Sequence, residues 1–589
     1  MKTKKTTSKI ILALMLMFSA LFNSCEKNEG IDDFNNNNQN NQNDVIQSTL
    51  DQGANIQRDF MGRIVNESSL PLDNVNITIG NETAITDNNG IFIINNVTVK
   101  ERQAFITAEK PGFLKGMRSI VPTQDTNMVN IMLITENLAG TVASGIASEV
   151  SLSNGTKVSF DGAFKDDNGN AYSGNVAVYM YHLDPANASV NELMPGSLQA
   201  ENANEEERVL ETYGMLNVEL KGDAGQKLNI ADGHVAEIEL PLDPAQSGVA
   251  PSTIPLWHFD EVAGHWIEDG EANLIGGKYI GEVSHFSWWN CDAQFPTVTL
   301  CMTVVDNLNT PLSNVKVELW RSGATYPRIG YSNGNGEICG LIPSNETLTL
   351  KAYDQCGVEV HTTSIGPFSS DTNFGNLSMP GVLTEVITGN LVDCSNANVV
   401  NGYVNLTYGS QYATVAVSNG VFNMSVIKCA SLNTFSLEGF DYDAFQTTTV
   451  LPFNFSSTNV GNIIACNAIT EFVTIQVDNN PVEYYLTNID AEANGSVLGY
   501  FNISSQSSNG NGFYVGGDST VPGTYTAPNF WLESSTIDMN FNIPNNLVYT
   551  LNSFGAVSGY IDMTVTGTYT DTSGNIRNLS ATIHVIRDN

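Results

Sequence analysis

The stretch FMGRIVNESSLPLDNVNITIGNETAITDNNGIFIINNV (60–97) decides the fold. Within it Val75, Ile77 and Ile79 alternate with polar residues, which is the pattern of a strand with one buried face. A turn containing proline precedes this run, and Gly90 provides a residue that tolerates positive φ in the tight connection that follows. The stretch therefore predicts antiparallel hairpins.

Related stretches recur twice, which indicates tandem modules. The segment LCMTVVDNLNTPLSNVKVELWRSGATYPRIGYSNGNGEICGLI (300–342) aligns with the first through PLSNVKV, and its Gly336 aligns with Gly90. A more divergent copy begins with ITGNLVDCSNANVVNGYVNLTYGS (387–410) and continues with VAVSNGVFNMSV around Gly420. The chain is thus predicted to be all-β and built of tandem β-sandwich modules.

The three copies resemble the carboxypeptidase regulatory-like domain, a transthyretin-like β-sandwich of seven strands. The first copy carries the elements of that family's pattern, namely Thr86, Asp87, Gly90, Phe92 and Lys110-Pro111-Gly112-Phe113. The second and third copies have Ser332-Asn333 and Ser418-Asn419 in place of the Thr-Asp pair. The resemblance implies a scaffold module that occurs beside enzymes, transporters and adhesins and carries no active site of its own.

Seven segments follow from these patterns. The segment before Cys291 resembles one that recurs after regulatory-like domains in surface lipoproteins of Gram-negative bacteria, and the last residues alternate again in the manner of strands. We predict a lipoprotein signal peptide (1–24), a disordered Asn/Gln-rich tether (25–57), regulatory-like module 1 (58–135), a larger β-sandwich domain (136–294), regulatory-like module 2 (295–384), divergent regulatory-like module 3 (385–467) and a C-terminal β-sandwich domain (468–589).

The first residues predict export and lipidation. Four lysines precede an apolar run at 10–22 that is too short to span a membrane as a stable helix, and Cys25 follows it. The segment resembles a bacterial lipoprotein signal, which implies cleavage before Cys25 and lipid on its thiol. Phe22 stands where such signals usually carry Leu, so an ordinary cleaved signal with an incidental cysteine is the alternative.

The residues after Cys25 predict an anchored, extended tether. A tract of Asn and Gln at 35–43 cannot bury enough apolar surface to offset its ordering entropy. Acidic residues at 26–33 resemble signals that send lipoproteins to the outer face of the outer membrane. The expected location is therefore the outer membrane, with the modules exposed at the cell surface and lipid on Cys25 as the membrane partner.

Charge excludes one class of partner. The formal net charge is −37, and removal of the lysine-bearing signal peptide makes it more negative. Such a surface repels phosphate, so no nucleic-acid partner is predicted.

Seven cysteines lie beyond Cys25. In an oxidising compartment they allow three disulfides and one thiol, but their connectivity stays open at this stage. No Cys-x-x-Cys pair favours a metal site over structural bridging. These residues are Cys291, Cys301, Cys339, Cys356, Cys394, Cys429 and Cys466.

Two motifs suggest catalysis or metal binding but fail in context. Gly330-Tyr331-Ser332-Asn333-Gly334 matches the G-x-S-x-G elbow, yet Ser332 aligns with Thr86 in a hairpin turn that no helix follows. His258, His265 and His285 could share a structural metal, with simple packing as the alternative. We predict no catalytic residue, metal or cofactor.

An aromatic cluster supplies the candidate binding residues. Trp257, Trp266 and Trp289 could stack on sugar rings, with core packing as the alternative, and strand alternation makes Trp289 the exposed ring. The leading hypothesis is a non-enzymatic, membrane-anchored surface lipoprotein whose modules form a scaffold for adhesion or capture of an extracellular glycan or protein. The alternative is a glycan-binding accessory lipoprotein of an outer-membrane nutrient uptake system.

Overall fold

A computed structural model describes most of the chain beyond the predicted tether. The signal peptide, Cys25, Cys356 and Cys429 lie outside the described residues. No helix in the described part is both long and apolar enough to cross a membrane. The described residues are 50–87, 89–354, 357–379, 382, 384–408, 411–428, 432–442, 444, 446–456, 458–468, 471–478, 483–485, 489–493, 500–506, 512–526 and 538–588.

The fold is all-β and consists of tandem sandwiches, as predicted. Module 1 has two sheets, of order β4–β1–β7 and β3–β2–β5–β6, in which β1 runs antiparallel to β4 and parallel to β7. The side chains that alternate along β2 enter the core between the sheets, where Ile77 and Ile79 are fully buried. The strands are β1 (Asn55–Asn66), β2 (Asn76–Ile79), β3 (Glu82–Ile85), β4 (Ile91–Lys100), β5 (Ala104–Glu109), β6 (Gly116–Ile120) and β7 (Asn127–Leu133).

The larger domain follows with a longer sheet path, β11–β15–β14–β20–β17–β18–β19–β16–β10–β9. One short α-helix, α1 (Val190–Leu193), and a 3₁₀ turn (Pro244–Gln246) interrupt its strands. The strands are β8 (Leu138–Ala143), β9 (Ser148–Ser151), β10 (Lys157–Phe160), β11 (Phe164–Asp166), β12 (Asn175–Leu183), β13 (Gln199–Glu201), β14 (Glu207–Gly222), β15 (Lys227–Ile230), β16 (Ala236–Pro241), β17 (Thr253–Asp260), β18 (His265–Ile275), β19 (Lys278–Val283) and β20 (Trp288–Val305).

Strand β20 belongs to two modules. Its first half pairs with β14 and β17 of the larger domain, and its second half pairs with β23 and β26 of module 2. The boundary expected between residues 294 and 295 therefore falls inside one continuous strand of 18 residues. No linker separates these two modules.

Modules 2 and 3 repeat the two-sheet topology of module 1. In module 2 the second half of β20 pairs with β23 and, in parallel, with β26, opposite the sheet β22–β21–β24–β25. In module 3 the sheet β30–β27–β34 lies opposite β29–β28–β31–β32–β35. Their strands are β21 (Lys316–Arg321), β22 (Arg328–Tyr331), β23 (Glu337–Pro343), β24 (Leu348–Tyr353), β25 (Glu359–Ile365), β26 (Thr372–Ser378), β27 (Thr384–Val392), β28 (Gly402–Tyr408), β29 (Gln411–Ala416), β30 (Val421–Ile427), β31 (Thr434–Asp441), β32 (Gln446–Thr447), β33 (Leu451–Asn454), β34 (Asn459–Ile464) and β35 (Asn467–Ala468).

One glycine closes the same turn in each copy. Gly90, Gly336 and Gly420 have φ values of 72°, 74° and 83°. A Cβ at these positions would meet a backbone carbonyl oxygen of the first strand at 2.3, 2.5 and 2.9 Å. Glycine is required here because a side chain fits neither the positive φ nor the close approach.

The C-terminal domain is a further pair of sheets. Their orders are β37–β36–β44–β43–β42–β41 and β38–β39–β40, and one apolar core lies between them. The strands are β36 (Phe472–Val477), β37 (Glu483–Tyr485), β38 (Ile489–Ala493), β39 (Phe501–Gln506), β40 (Gly512–Gly517), β41 (Gly523–Thr526), β42 (Val548–Phe554), β43 (Tyr560–Thr570) and β44 (Ile576–Ile586).

Candidate ligand-binding cavity

The modules pack against one another beyond their sequence neighbours. Module 1 shares an apolar core with the larger domain, and Met61 and Ile91 of module 1 form a second core with Tyr403 and Phe440 of module 3. Ile427 of module 3 lies in the core of module 2. Module 1 therefore contacts a module more than 250 residues away in sequence, and the modules do not behave as separate spacers.

Polar contacts fix the same interfaces. The Asn333 side chain of module 2 donates to Thr123 Oγ1 of module 1 at 2.9 Å. Ser313 of module 2 donates through Oγ to the Ser425 carbonyl of module 3 at 2.6 Å. Partly buried hydrogen bonds of this kind favour one docking arrangement, because a partner left unpaired away from water would be costly.

A cavity of about 1120 Å³ lies among these modules. Its walls come from β7 of module 1, α1 of the larger domain, β22 and β23 of module 2, and β29 and β30 of module 3. Met128, Tyr331 and Val400 line it and are 38%, 46% and 71% exposed, so the cavity opens to solvent on their side. Its volume is slightly above the usual range of about 300–1,000 Å³ for small-molecule sites.

Four of the nine arginines in the sequence line this cavity. Three of them have partners: Arg63 stacks on the Tyr412 ring at 4.4 Å, Arg102 pairs with Glu207 at 2.8 Å, and Arg118 donates to the Asn191 carbonyl. The fourth, Arg328 on β22, has no hydrogen bond or ion pair with any described residue. Sequence reasoning missed this site because three of its arginines are scattered over module 1, the fourth comes from module 2, and no motif joins them.

The three predicted tryptophans are completely buried. Trp257 and Trp266 lie in the core shared with module 1, and Trp289 lies in the main core of the larger domain. Their indole nitrogens donate to the carbonyls of Asp292 (3.1 Å), Ser197 (2.8 Å) and His285 (2.9 Å), respectively. The prediction that Trp289 is exposed is wrong, because β20 is covered on both faces here. None of the three rings offers a face to a sugar.

Two of the three histidines, His258 and His285, pack against Trp289. The rings of His258 and His285 meet at 4.7 Å, and both lie within 6 Å of the Trp289 ring. Burial lowers the pKa of His258 to about 4 and also lowers the pKa of His265 and His285. These side chains are therefore neutral at pH 7. Among the described residues, no group of three His, Cys, Asp or Glu side chains is arranged to hold a metal.

Ser332 serves as a structural clamp. Its hydroxyl donates to the Leu312 carbonyl at 2.6 Å and accepts from the Val315 amide at 2.9 Å. Thr86 makes the same pair of bonds in module 1, to the Leu72 carbonyl and from the Val75 amide. Because the hydroxyl is buried and both its roles are occupied, Ser332 is not placed to act as a nucleophile.

The structure assigns part of the cysteine connectivity. Cys301 bonds to Cys339 across the ladder of β20 and β23, and Cys394 bonds to Cys466 within module 3. Cys291 is a buried free thiol, and burial raises its pKa above the ordinary range. Its low thiolate content makes it chemically inert.

A buried carboxyl group joins modules 1 and 3. Asp87 Oδ2 accepts from the Tyr403 hydroxyl at 2.7 Å and from the Tyr442 hydroxyl at 3.3 Å, while its other oxygen accepts from the amides of Asn89 and Ile91. Burial outweighs these hydrogen bonds and raises the pKa of Asp87 to about 6. The junction of the two modules is thus sensitive to protonation.

We expect this junction to lose stability as pH rises. Asp87 binds a proton more tightly in the folded state, so its contribution is complete below pH 4 and is lost by about pH 6, a change of about 3 kcal/mol. Urea unfolding of the wild type and of Asp87→Asn across pH 4–7 measures it, since asparagine keeps the shape but does not titrate. A wild-type stability that changes with pH in parallel with the variant would contradict the assignment.

No family model matches the chain, and no curated protein matches it. Among solved structures, it is similar to the Bacillus anthracis TIE protein, at 8% identity and a TM-score of 0.14, over 70% of this chain and 50% of that one. It is also similar to BcpA, the major pilin subunit of Bacillus cereus (10% identity, TM-score 0.11, 70% and 99% of the two chains) and to the pilus adhesin SpaC from Lactobacillus rhamnosus GG (11%, 0.12, 70% and 52%). The chain thus spans about half the length of the first of these proteins.

Proposed function

We propose that this protein is a non-enzymatic surface lipoprotein, anchored by lipid on Cys25, whose packed modules form a scaffold for ligand capture or adhesion. The observation that carries the proposal is the open cavity built jointly by four modules. Residues far apart in sequence enclose one cavity. This arrangement suits ligand binding better than it suits a stalk of separate spacer modules.

The chemistry of the site supports binding over catalysis. Ser332, which matches the hydrolase motif, is committed to a backbone clamp. Arginines, amides and aliphatic groups line the cavity together with the carboxyl groups of Asp59, Asp125, Glu192 and Glu337, a mixture that suits recognition of a ligand with polar and apolar parts.

The anchor is tested by metabolic labelling with an alkyne-bearing fatty acid. We expect the wild type to take up label and to enter the detergent phase, and Cys25→Ser to do neither. A double variant, Cys25→Ser with Ser48→Cys, keeps the number of cysteines but moves one away from the cleavage site, so it should stay unlabelled. Labelling of Cys25→Ser would overturn the anchor.

Surface display is tested with an external protease on intact cells. Cleavage of the modules while a periplasmic marker stays intact is the expected result. Protection of the modules until the outer membrane is opened would contradict a surface role, whatever the purified protein binds.

A further inference from the structure

One end of the cavity combines a cationic side chain with an apolar surround. Arg328 lies there on β22, opposite Leu319 in the antiparallel register of β21 and β22. Met194 and Leu198 of the larger domain and Ile342 of module 2 line the same end, and all three are buried. An arginine in such surroundings is costly unless an anion or hydrogen-bond acceptors reach it.

Neither of the nearby acids, Glu211 and Asp292, forms a hydrogen bond or an ion pair with Arg328. Glu211 is engaged by Arg321, whose guanidinium donates two hydrogen bonds to it at 2.8 and 3.0 Å. Burial raises the pKa of Asp292 well above its ordinary value, and this carboxyl group makes neither a hydrogen bond nor an ion pair with Arg328. The pKa of Arg328 is lowered by burial only to about 10, which leaves the guanidinium charged.

Arg328 is therefore left without a bonded counter-ion. The carboxylate of Glu211 forms its ion pair with Arg321, and Arg328 has no ion pair with any described residue. The donors of Arg328 meet no acceptor on any described residue. An anion would supply both a counter-charge and hydrogen-bond acceptors, and a monoanion is favoured because Glu211 would repel a dianion about twice as strongly.

We propose that this end of the cavity binds the carboxylate of an amphipathic organic acid, with its head group on Arg328 and its apolar body against Met194, Leu198 and Ile342. Carboxylate geometry matches the planar guanidinium fork, and the aliphatic walls favour an apolar body. The inference rests on the proposed function in placing ligand capture in the cavity, and it adds the chemical class of the ligand.

Calorimetry on the purified chain with decanoate tests the proposal. We expect saturable binding of decanoate, and binding at least tenfold weaker for decanol and for decyltrimethylammonium. Arg328→Gln should weaken decanoate binding at least tenfold, while Arg328→Lys should retain part of it. Arg58→Gln is the control and should leave binding unchanged, because Arg58 is a half-buried arginine of module 1 that does not line the cavity.

A second pair of variants keeps the test decisive if Arg328→Gln does not fold. Leu319→Glu places a carboxylate directly opposite Arg328 and should compete with decanoate, whereas Leu319→Gln should not. No saturable binding, or equal binding of decanoate and decanol, would overturn the proposal. Because these measurements use purified protein, they are independent of the labelling and protease results that test the surface role.

Discussion

Replacing Trp266 with alanine is expected to lower the free energy of unfolding by about 3–5 kcal/mol. The indole is completely buried, packs edge-on against Phe259 at 5.2 Å, and donates to the Ser197 carbonyl. Alanine would leave a cavity in the core shared by module 1 and the larger domain and would leave that carbonyl unpaired. Chemical denaturation followed by circular dichroism measures the loss.

Trp320 provides the matched control. It lies half-buried on β21, where its indole nitrogen donates to Glu318 at 3.0 Å. Trp320→Ala should cost about 1 kcal/mol or less, because the ring is only half-buried and its removal leaves no closed cavity. Equal losses for the two variants would mean that the shared core contributes no more than an outer face.

Removing the disulfide between Cys394 and Cys466 is expected to cost about 4 kcal/mol. The bond closes a loop of 72 residues within module 3, so its loss increases the entropy of the unfolded chain. The bond between Cys301 and Cys339 closes only 38 residues, and its removal should cost about 0.6 kcal/mol less. Urea midpoints of the two double alanine variants give both values.

Reductant offers an independent measurement of the same effect. It should lower the urea midpoint of the wild type and of Cys291→Ala alike, because Cys291 is a free buried thiol. A midpoint that does not respond to reductant, or a larger loss for the shorter loop, would contradict this account.

The repeated modules could be predicted because local chemistry dictates them. The alternation at Val75, Ile77 and Ile79 sets the buried face, and Gly90 fits a turn that no other residue tolerates. The alignment of Ser332 with Thr86 is confirmed by their matching hydroxyl clamps. Each of these features depends on residues close together in sequence, so the local sequence pattern is sufficient to predict it.

The docking of the modules could not be predicted in the same way. Alternation shows that Trp288 and Trp289 point to opposite faces of β20 but not that both faces are covered. Trp289 packs in the core of the larger domain and Trp288 in the core shared with module 1, so alternation alone wrongly predicts an exposed Trp289. The contact of Asp87 with Tyr403 joins residues 316 positions apart. Arg328 likewise lacks a local motif, because the walls around it come from other modules.

Strand β20 has a mechanical consequence. Its 18 residues run without a break from the larger domain into module 2, held at each end by ladders on both sides. A pulling force along the strand acts on all of these hydrogen bonds at once, in shear. No flexible linker between the two modules can extend first. Strand β20 would therefore transmit tension directly between the two modules. Under load, other parts of the chain would extend before the junction of these two modules.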